Sequence, residues 1–300
     1  MAITRVTQQM LSNRSMTAVM SGLSRMSKYE EQLETGKKLN RPSDDPAGTN
    51  TALRVRSALA EQTQYGRNAE DGQAWLSTID STLSGITDQI QRANTLALQG
   101  ANSGSMSQAS RDSIASELDQ IRESVLQSAN TDYLGRPVFG GTTSGSVAYN
   151  DDGTYAGDDG EVLRRVGSGV QVRVDSRAQD VFGPDDDNIF KHLSDLATAL
   201  SSTSSTDSDE AIQEGIANLQ ADLTRITSAQ SDEGARMNRL TKASDLASQA
   251  TLQLQTSLSD VEDADLAETT LNVQQSETAY QAALAATGKT LQPSLLDFLS

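Results

Sequence analysis

The sequence predicts a mainly α fold: an elongated helical bundle with coiled-coil terminal helices and a small β-rich inserted domain. Apolar residues recur at helical spacing over stretches far longer than a globular helix needs. Only 36% of the 300 residues are hydrophobic and 4% aromatic, a composition that suits narrow seams between helices better than one thick core. The helical period vanishes once, between about Thr131 and Pro184, where Gly, Asp and β-branched residues take over.

Near the N-terminus Met16, Val19, Leu23, Met26 and Leu33 follow three-four spacing, and Ile3, Val6 and Met10 form a similar stripe in a shifted phase. Thr35 to Gly48 interrupts the pattern. Gly36 disfavours helix, Pro42 and Pro46 restrict their predecessors to extended geometry, and Asp45-Pro46 is an N-cap followed by proline at the first helical position. From Ala47 a helix of about 50 residues, about 75 Å long, carries a strict stripe at Leu76, Ile79, Leu83, Ile86, Ile90, Ala93 and Ala97. Asn102 to Ser105 reads as a turn, and Ile114, Leu118, Ile121 and Val125 mark a shorter returning helix.

In the β-rich stretch, the alternation Val170-Gln171-Val172-Arg173-Val174 puts the valines on one face, and Asn150 to Gly153 is a hairpin-type turn between short strands. Helix resumes at Ile189, Leu193, Leu196 and Leu200, capped by the run Asp185-Asp186-Asp187. After the polar linker Ser201 to Thr206, a long coiled-coil-like helix runs through Ile212, Ile216, Leu219, Leu223 and Ile226, with Gln230 and Glu233 as polar interruptions, to Met237, Leu240 and Leu254. Leu266, Val273, Tyr280 and Leu284 continue a seam toward Lys289, and Pro293 opens an apolar tail. The expected organisation is therefore three-part: paired terminal helices at 1–41 and 263–300, a long helical bundle at 42–130 and 188–262, and the insertion at 131–187.

Charge supports the pairing of the two ends. Residues 1–41 hold seven Lys and Arg against three Glu, net +4, whereas 258–300 hold one Lys against seven acids, net -6. The overall charge of -17 argues against nonspecific affinity for nucleic acid or an anionic membrane. No cysteine is present, so there is neither a disulfide framework nor thiolate chemistry. The N-terminus lacks the apolar core of a secretory signal, and no run approaches the roughly 18 apolar residues of a membrane span.

Little in the chain points to catalysis or to a cofactor. The one histidine, His192, lies on a short amphipathic helix as a surface or partly buried residue, with no nucleophile motif or orienting partner in sequence. Asp44 and Asp45 fit a helix N-terminus better than an acid-base pair. An EF-hand-like ligand set at Asn150, Asp152, Thr154, Asp158 and Glu161 carries Tyr155 where the loop needs glycine. Trp75, beside the strict stripe, is expected to pack in the core or between subunits.

The loop Arg41-Pro42-Ser43-Asp44-Asp45-Pro46 resembles that of the flagellin family, and its proline-flanked form is similar to the family's hook-filament junction members. Arg5 to Met10, Tyr133-Leu134-Gly135-Arg136-Pro137-Val138-Phe139-Gly140-Gly141-Thr142 and Leu291 to Leu299 carry further resemblance. It implies a flagellin-like fold and a nonenzymatic extracellular structural role between hook and filament, reached by type III export without a cleaved signal. The implied partners are further copies in a helical ring, an adjoining hook-associated junction protein, flagellin and an export chaperone, with no nucleic acid and no membrane.

On this reading the assembly seam comprises Val6, Met10, Val19, Leu23, Met26, Leu33, Leu266, Val273, Tyr280 and Leu284. The hinge loop comprises Gly36, Arg41, Pro42, Asp44, Asp45 and Pro46, and the C-terminal tail Leu291, Leu295, Leu296, Phe298 and Leu299. A filament flagellin is the alternative, and a calcium- or carbohydrate-binding module in 131–187 a remote one.

Overall fold

The structure, a computed structural model, describes residues 8–101, 106–202 and 205–291. Ile3, Val6, the turn at 102–105 and the tail residues Leu295, Leu296, Phe298 and Leu299 lie outside the described residues, as does the side chain of Leu291. In chain order the elements are α1 (Gln8–Thr35), α2 (Pro46–Gly100), α3 (Gln108–Ala129), β1 (Asp132–Tyr133), β2 (Arg136–Pro137), β3 (Leu163–Gly167), β4 (Val170–Arg173), α4 (Ala178–Phe182), α5 (Ile189–Ser201), α6 (Ser205–Glu262) and α7 (Leu266–Leu291). They form two compact units, residues 1–60 with 251–300 and residues 61–250.

The unit spanning 61–250 holds the main core. All seven residues of the α2 stripe, Leu76 to Ala97, are fully buried. They share one hydrophobic cluster with Ile114, Leu118 and Val125 of α3, Leu193 and Leu200 of α5, and Ile212, Leu219 and Ile226 of α6. Helical periodicity survives into structure here because each stripe meets another from the same chain.

The β-rich segment feeds the same cluster with Val138, Phe139, Tyr149, Val174 and Phe182. It supplies aromatic bulk that the helices lack. Tyr149 lies 4.9 Å from Phe190, and Phe139 5.1 Å from Phe182, ring centre to ring centre, both in edge-to-face contact. Trp75 is buried against Tyr133 at 5.4 Å, with the guanidinium groups of Arg136 and Arg164 at 5.9 and 5.7 Å from its ring.

The strands form only two separate antiparallel pairs, β1 with β2 and β3 with β4. Three local expectations change. Val170 is exposed while Val172 and Val174 are buried, because a register shift between Arg165 and Gly167 sets Gly167 opposite Val170 and leaves that valine at the hairpin end. Asn150 to Gly153 does turn the chain, with the Gly153 amide donating to the Asn150 carbonyl at 2.9 Å, but a single Tyr149–Tyr155 bridge closes it rather than strands. The cap of α5 is Asn188, whose side chain accepts from the Lys191 amide at 2.9 Å. The preceding aspartates are engaged elsewhere, Asp185 with the Tyr155 amide and Asp187 with His192.

The turn between β1 and β2 is unusual. Leu134 and Gly135 both take positive φ, 53° and 77°, the signature of the type I′ hairpin that normally places Asn, Asp or Gly in both positions. Leucine there costs about 1 kcal/mol, yet Leu134 is 81% exposed and gains no packing within the chain.

In the other unit α1 packs on α7. Half-buried positions along α1 include Ser15, Val19, Met26 and Tyr29, with Gly22 buried among them. Their spacing of four, three, four and three is a heptad seam. On α7, Thr269, Val273, Ser276, Tyr280 and Ala283 answer it. Gly22 lets the helices approach, since a Cβ there would lie 3.7 Å from the Tyr280 ring.

Candidate assembly interface

The hinge residues Gly36 to Asp45 lie in the connector between α1 and α2, with Pro46 opening α2, and this connector meets the one between α6 and α7. Gly36 ends α1 at a φ of 68°, a turn that glycine makes without strain. Residues 36–38 then run antiparallel to 262–264. The Lys38 amide donates to the Glu262 carbonyl at 2.8 Å, the Ala264 amide to the Gly36 carbonyl at 2.9 Å, and Lys37 bridges Asp263. Two aspartates start the outgoing helices alike: Asp45 accepts from the Ala47 and Gly48 amides at 3.0 Å, and Asp265 from the Ala267 and Glu268 amides at 2.9 and 3.2 Å.

Glu262 is the electrostatic centre of this junction. Its side chain is only 4% exposed and takes Lys37 at 2.9 Å and Arg56 at 2.7 Å. Burial resists its ionisation, but the hydrogen bonds from Arg56 and Lys37 outweigh that and hold its pKa below the ordinary glutamate range. Asp44 is lowered too, first by the Arg41 amide that donates to it at 2.9 Å and also by Lys28 at 3.3 Å. Arg41 reaches Glu31 at 3.2 Å. Beside these groups opens a pocket of about 260 Å³ lined by Leu39, Pro42, Ala52 and Leu53, with Arg41 and Arg56 among its polar lining.

The expected seam residues separate into two sets. Val19, Met26, Val273 and Tyr280 lie half-buried on the α1–α7 faces. Met10, Leu23, Leu33, Leu266 and Leu284 are 40–53% exposed, as are Met16, Met20 and Leu271 at 54–67%. The terminal helices thus bury a lean seam in which Val19, Met26, Val273 and Tyr280 alternate with small and polar residues, and turn most of their large apolar side chains outward.

Two polar clusters in the unit 61–250 escaped sequence reasoning. His192 is buried, its Nδ1 2.8 Å from Asp222 and its Nε2 2.8 Å from Asp187. Its pKa is raised, chiefly by the hydrogen bond to Asp222 against the opposing cost of burial. Asp222 also takes Arg225 at 2.8 Å. Glu233, read as a polar interruption, is 2% exposed, accepts from the Ser176 hydroxyl at 2.5 Å, and has an unpartnered second oxygen. Burial pushes its pKa up to about 7. An Asp spaced 30 residues from a His gives no local signal, and Ser176 reaches Glu233 only through the fold.

The acidic turn uses its carboxylates internally. Asp152 accepts from the Thr154 amide and hydroxyl at 2.9 and 2.6 Å, and Asp158 from the Thr142 and Gly160 amides at 2.6 and 2.9 Å. Among the described residues no group of three or more His, Cys, Asp or Glu is placed to hold a metal ion, and no helix is long and apolar enough to cross a membrane.

Residues 6–144 match the bacterial flagellin N-terminal helical region, and residues 216–299 the bacterial flagellin C-terminal helical region. Among curated relatives, flagellar hook-associated protein 3 of Escherichia coli (strain K12) is 25% identical over 94% of this chain and 95% of its own length. The Salmonella typhimurium protein of the same name is 26% identical over 95% of each. A flagellin of Salmonella muenchen is 32% identical but shares only 58% of this chain and 35% of itself. In fold, a flagellar hook-associated protein from Vibrio parahaemolyticus superposes at TM-score 0.68 and 20% identity, over 73% of this chain and all of that one. The flagellar junction protein from Legionella pneumophila does so at 0.58 and 17%, over 71% and 100%.

Proposed function

The chain belongs to the flagellin family, and on that premise we propose that it is a structural subunit of the bacterial flagellum, forming the junction between the hook, through the adjoining hook-associated protein, and the flagellin filament. The observation that carries this reading is coverage. Hook-associated protein 3 relatives align over 94–95% of both chains, whereas the flagellin of Salmonella muenchen shares 35% of its own length. A filament flagellin is accordingly the weaker alternative.

The mechanism is geometry rather than catalysis. Outward-facing Met16, Met20, Leu23, Leu33, Leu266, Leu271 and Leu284 present apolar surface that the single chain does not bury, and contiguous surface of this kind marks an interaction site. Neighbouring copies in a ring cover it, with the terminal helices as the assembling surface and the hinge at Gly36 to Pro46 setting their direction. Heterologous packing of this sort builds rings or helical tubes. The role places the protein outside the cell, among further copies, flagellin, the adjoining hook-associated protein and, before export, a chaperone.

The test is immunogold microscopy of native flagella with antibody against residues 131–187. A single gold band where hook meets filament is the expected result. Label along the whole filament makes the protein a flagellin, and absence of flagellar label with a working antibody overturns the reading.

A further inference from the structure

We infer that the segment 176–187, which contains α4, is a proton-held strap: fastened to α6 at both ends in an acidic medium, it opens as the medium turns alkaline. The strap is a property of the single chain and goes beyond the junction reading. Both fastenings need a proton.

At the first end the Ser176 hydroxyl donates to one Glu233 oxygen at 2.5 Å, and the other oxygen of this buried carboxyl has no partner. A neutral acid suits that place, whereas a carboxylate would leave a charged oxygen buried and unanswered. Neighbouring charge does not rescue it. Asp80 of α2 and Asp232 of α6 add to the negative field, and the Arg236 guanidinium that opposes them gives its Nη1 to the Asp175 carbonyl at 2.6 Å.

At the second end one imidazole joins two carboxylates. Nδ1 and Nε2 of His192 each lie 2.8 Å from an aspartate oxygen, the first of Asp222 and the second of Asp187. Carboxylates only accept, so both contacts are hydrogen bonds only while both ring nitrogens carry protons. Once the ring is neutral, one aspartate faces a lone pair. Asp222 keeps its bond, since it is fully buried and held by Arg225, while the side chain of Asp187 is 66% exposed and swings into water. Lys191, the cation beside Asp187 on α5, is paired with Asp195.

Titration follows this geometry. Burial pushes the Glu233 pKa up to about 7, and the Asp222 bond raises that of His192. With the strap open, both groups return to their ordinary values of 4.5 and 6.5. The closed form therefore binds more protons, and opening is favoured as pH rises from about 4.5 to 7 for Glu233 and from 6.5 upward for His192. Arg236 stays charged throughout and keeps the Asp175 carbonyl, which makes Asp175 the pivot. Opening uncovers the fully buried Val181 and Phe182; their burial keeps the strap closed most of the time, and protons set how often it opens.

The test is hydrogen exchange of the full-length protein at pH 6 and pH 8.5, read by mass spectrometry and corrected for the intrinsic effect of pH on exchange. Protection over 177–187 is expected to fall at least about tenfold between the two, while 76–97 of α2 keeps its protection. Glu233→Gln with Asp187→Asn frees both fastenings from protons: glutamine keeps an uncharged acceptor for Ser176, and the asparagine amide can donate to the neutral ring. In that variant the fall is expected to stay within about twofold, with each single variant removing part of it. Asp187→Asn lies at an exposed position and decides the second fastening even where the buried substitution impairs folding. No fall in the wild type, an undiminished fall in the folded variants, or an equal fall over 76–97 overturns the strap.

Discussion

At the scale of single residues, the clearest consequences come from two buried titrating groups. Glu233 has a folded pKa of about 7 against an ordinary value of 4.5. The folded state therefore holds its proton more tightly than the unfolded chain, and this group's contribution to stability falls as pH rises from about 4.5 to about 7, then stays flat. Glu233→Gln keeps the hydrogen bond from Ser176 and removes the charge. It is expected to stabilise the unit 61–250 by about 2 kcal/mol at pH 8 and by almost nothing at pH 5, read from urea unfolding at both values. His192 has the opposite charge and the same trend. Its raised pKa makes its contribution complete below the ordinary value of about 6.5, with loss as pH rises through the folded pKa. His192→Ala leaves the fully buried Asp222 carboxylate with Arg225 alone, and is expected to cost about 2–4 kcal/mol at pH 6. Neither cluster was legible in sequence, because the depth of a side chain depends on which distant segment covers it. Asp45 was legible, since a cap bonds amides two and three residues on.

Among whole elements, the stripe from Leu76 to Ala97 and that of α3 were readable because their partners are in the same chain. The stripe of α1 was harder to read, since the pattern records every apolar residue whether it meets α7 or faces outward. The chain's own seam keeps Val19, Met26, Val273 and Tyr280 but also runs through Ser15, Gly22, Thr269 and Ser276, small residues that hydrophobic periodicity passes over. Val273→Asp puts a charge into this seam; it is expected to abolish incorporation into flagella while the melting transition of the unit 61–250 stays within about 1 °C of wild type. Incorporation at the normal level would remove the seam from the assembly. The hinge offers a gentler probe. Glu262→Gln weakens the hold on Lys37 and Arg56, and amide exchange at Lys38 and Ala264 is expected to quicken about tenfold, with α5 unaffected.

For the molecule as a whole, a net charge of -17 combines with ends of opposite sign, and attraction between such exposed groups is screened by salt. Protection of α1 and α7 in hydrogen exchange is expected to fall between 0.05 and 0.5 M salt, on the order of threefold, while the core residues of α2 hold theirs. The fold class, the order of the longer helices and the site of the β-rich segment were legible because they rest on periodicity and breakers along the chain, whereas the five-residue α4 inside that segment is too short to show a period. The strained Leu134 was not, since φ at a two-residue turn is set by the pairing of Tyr133 with Arg136. The crossing of the two connectors also has a mechanical meaning. Tension drawn along either connector passes through a covalent strand that is lashed to its neighbour by two peptide hydrogen bonds and the Lys37–Glu262 bridge. A tug on one strand is therefore shared with the other, as in a two-ply cord that resists fraying until all three ties give way.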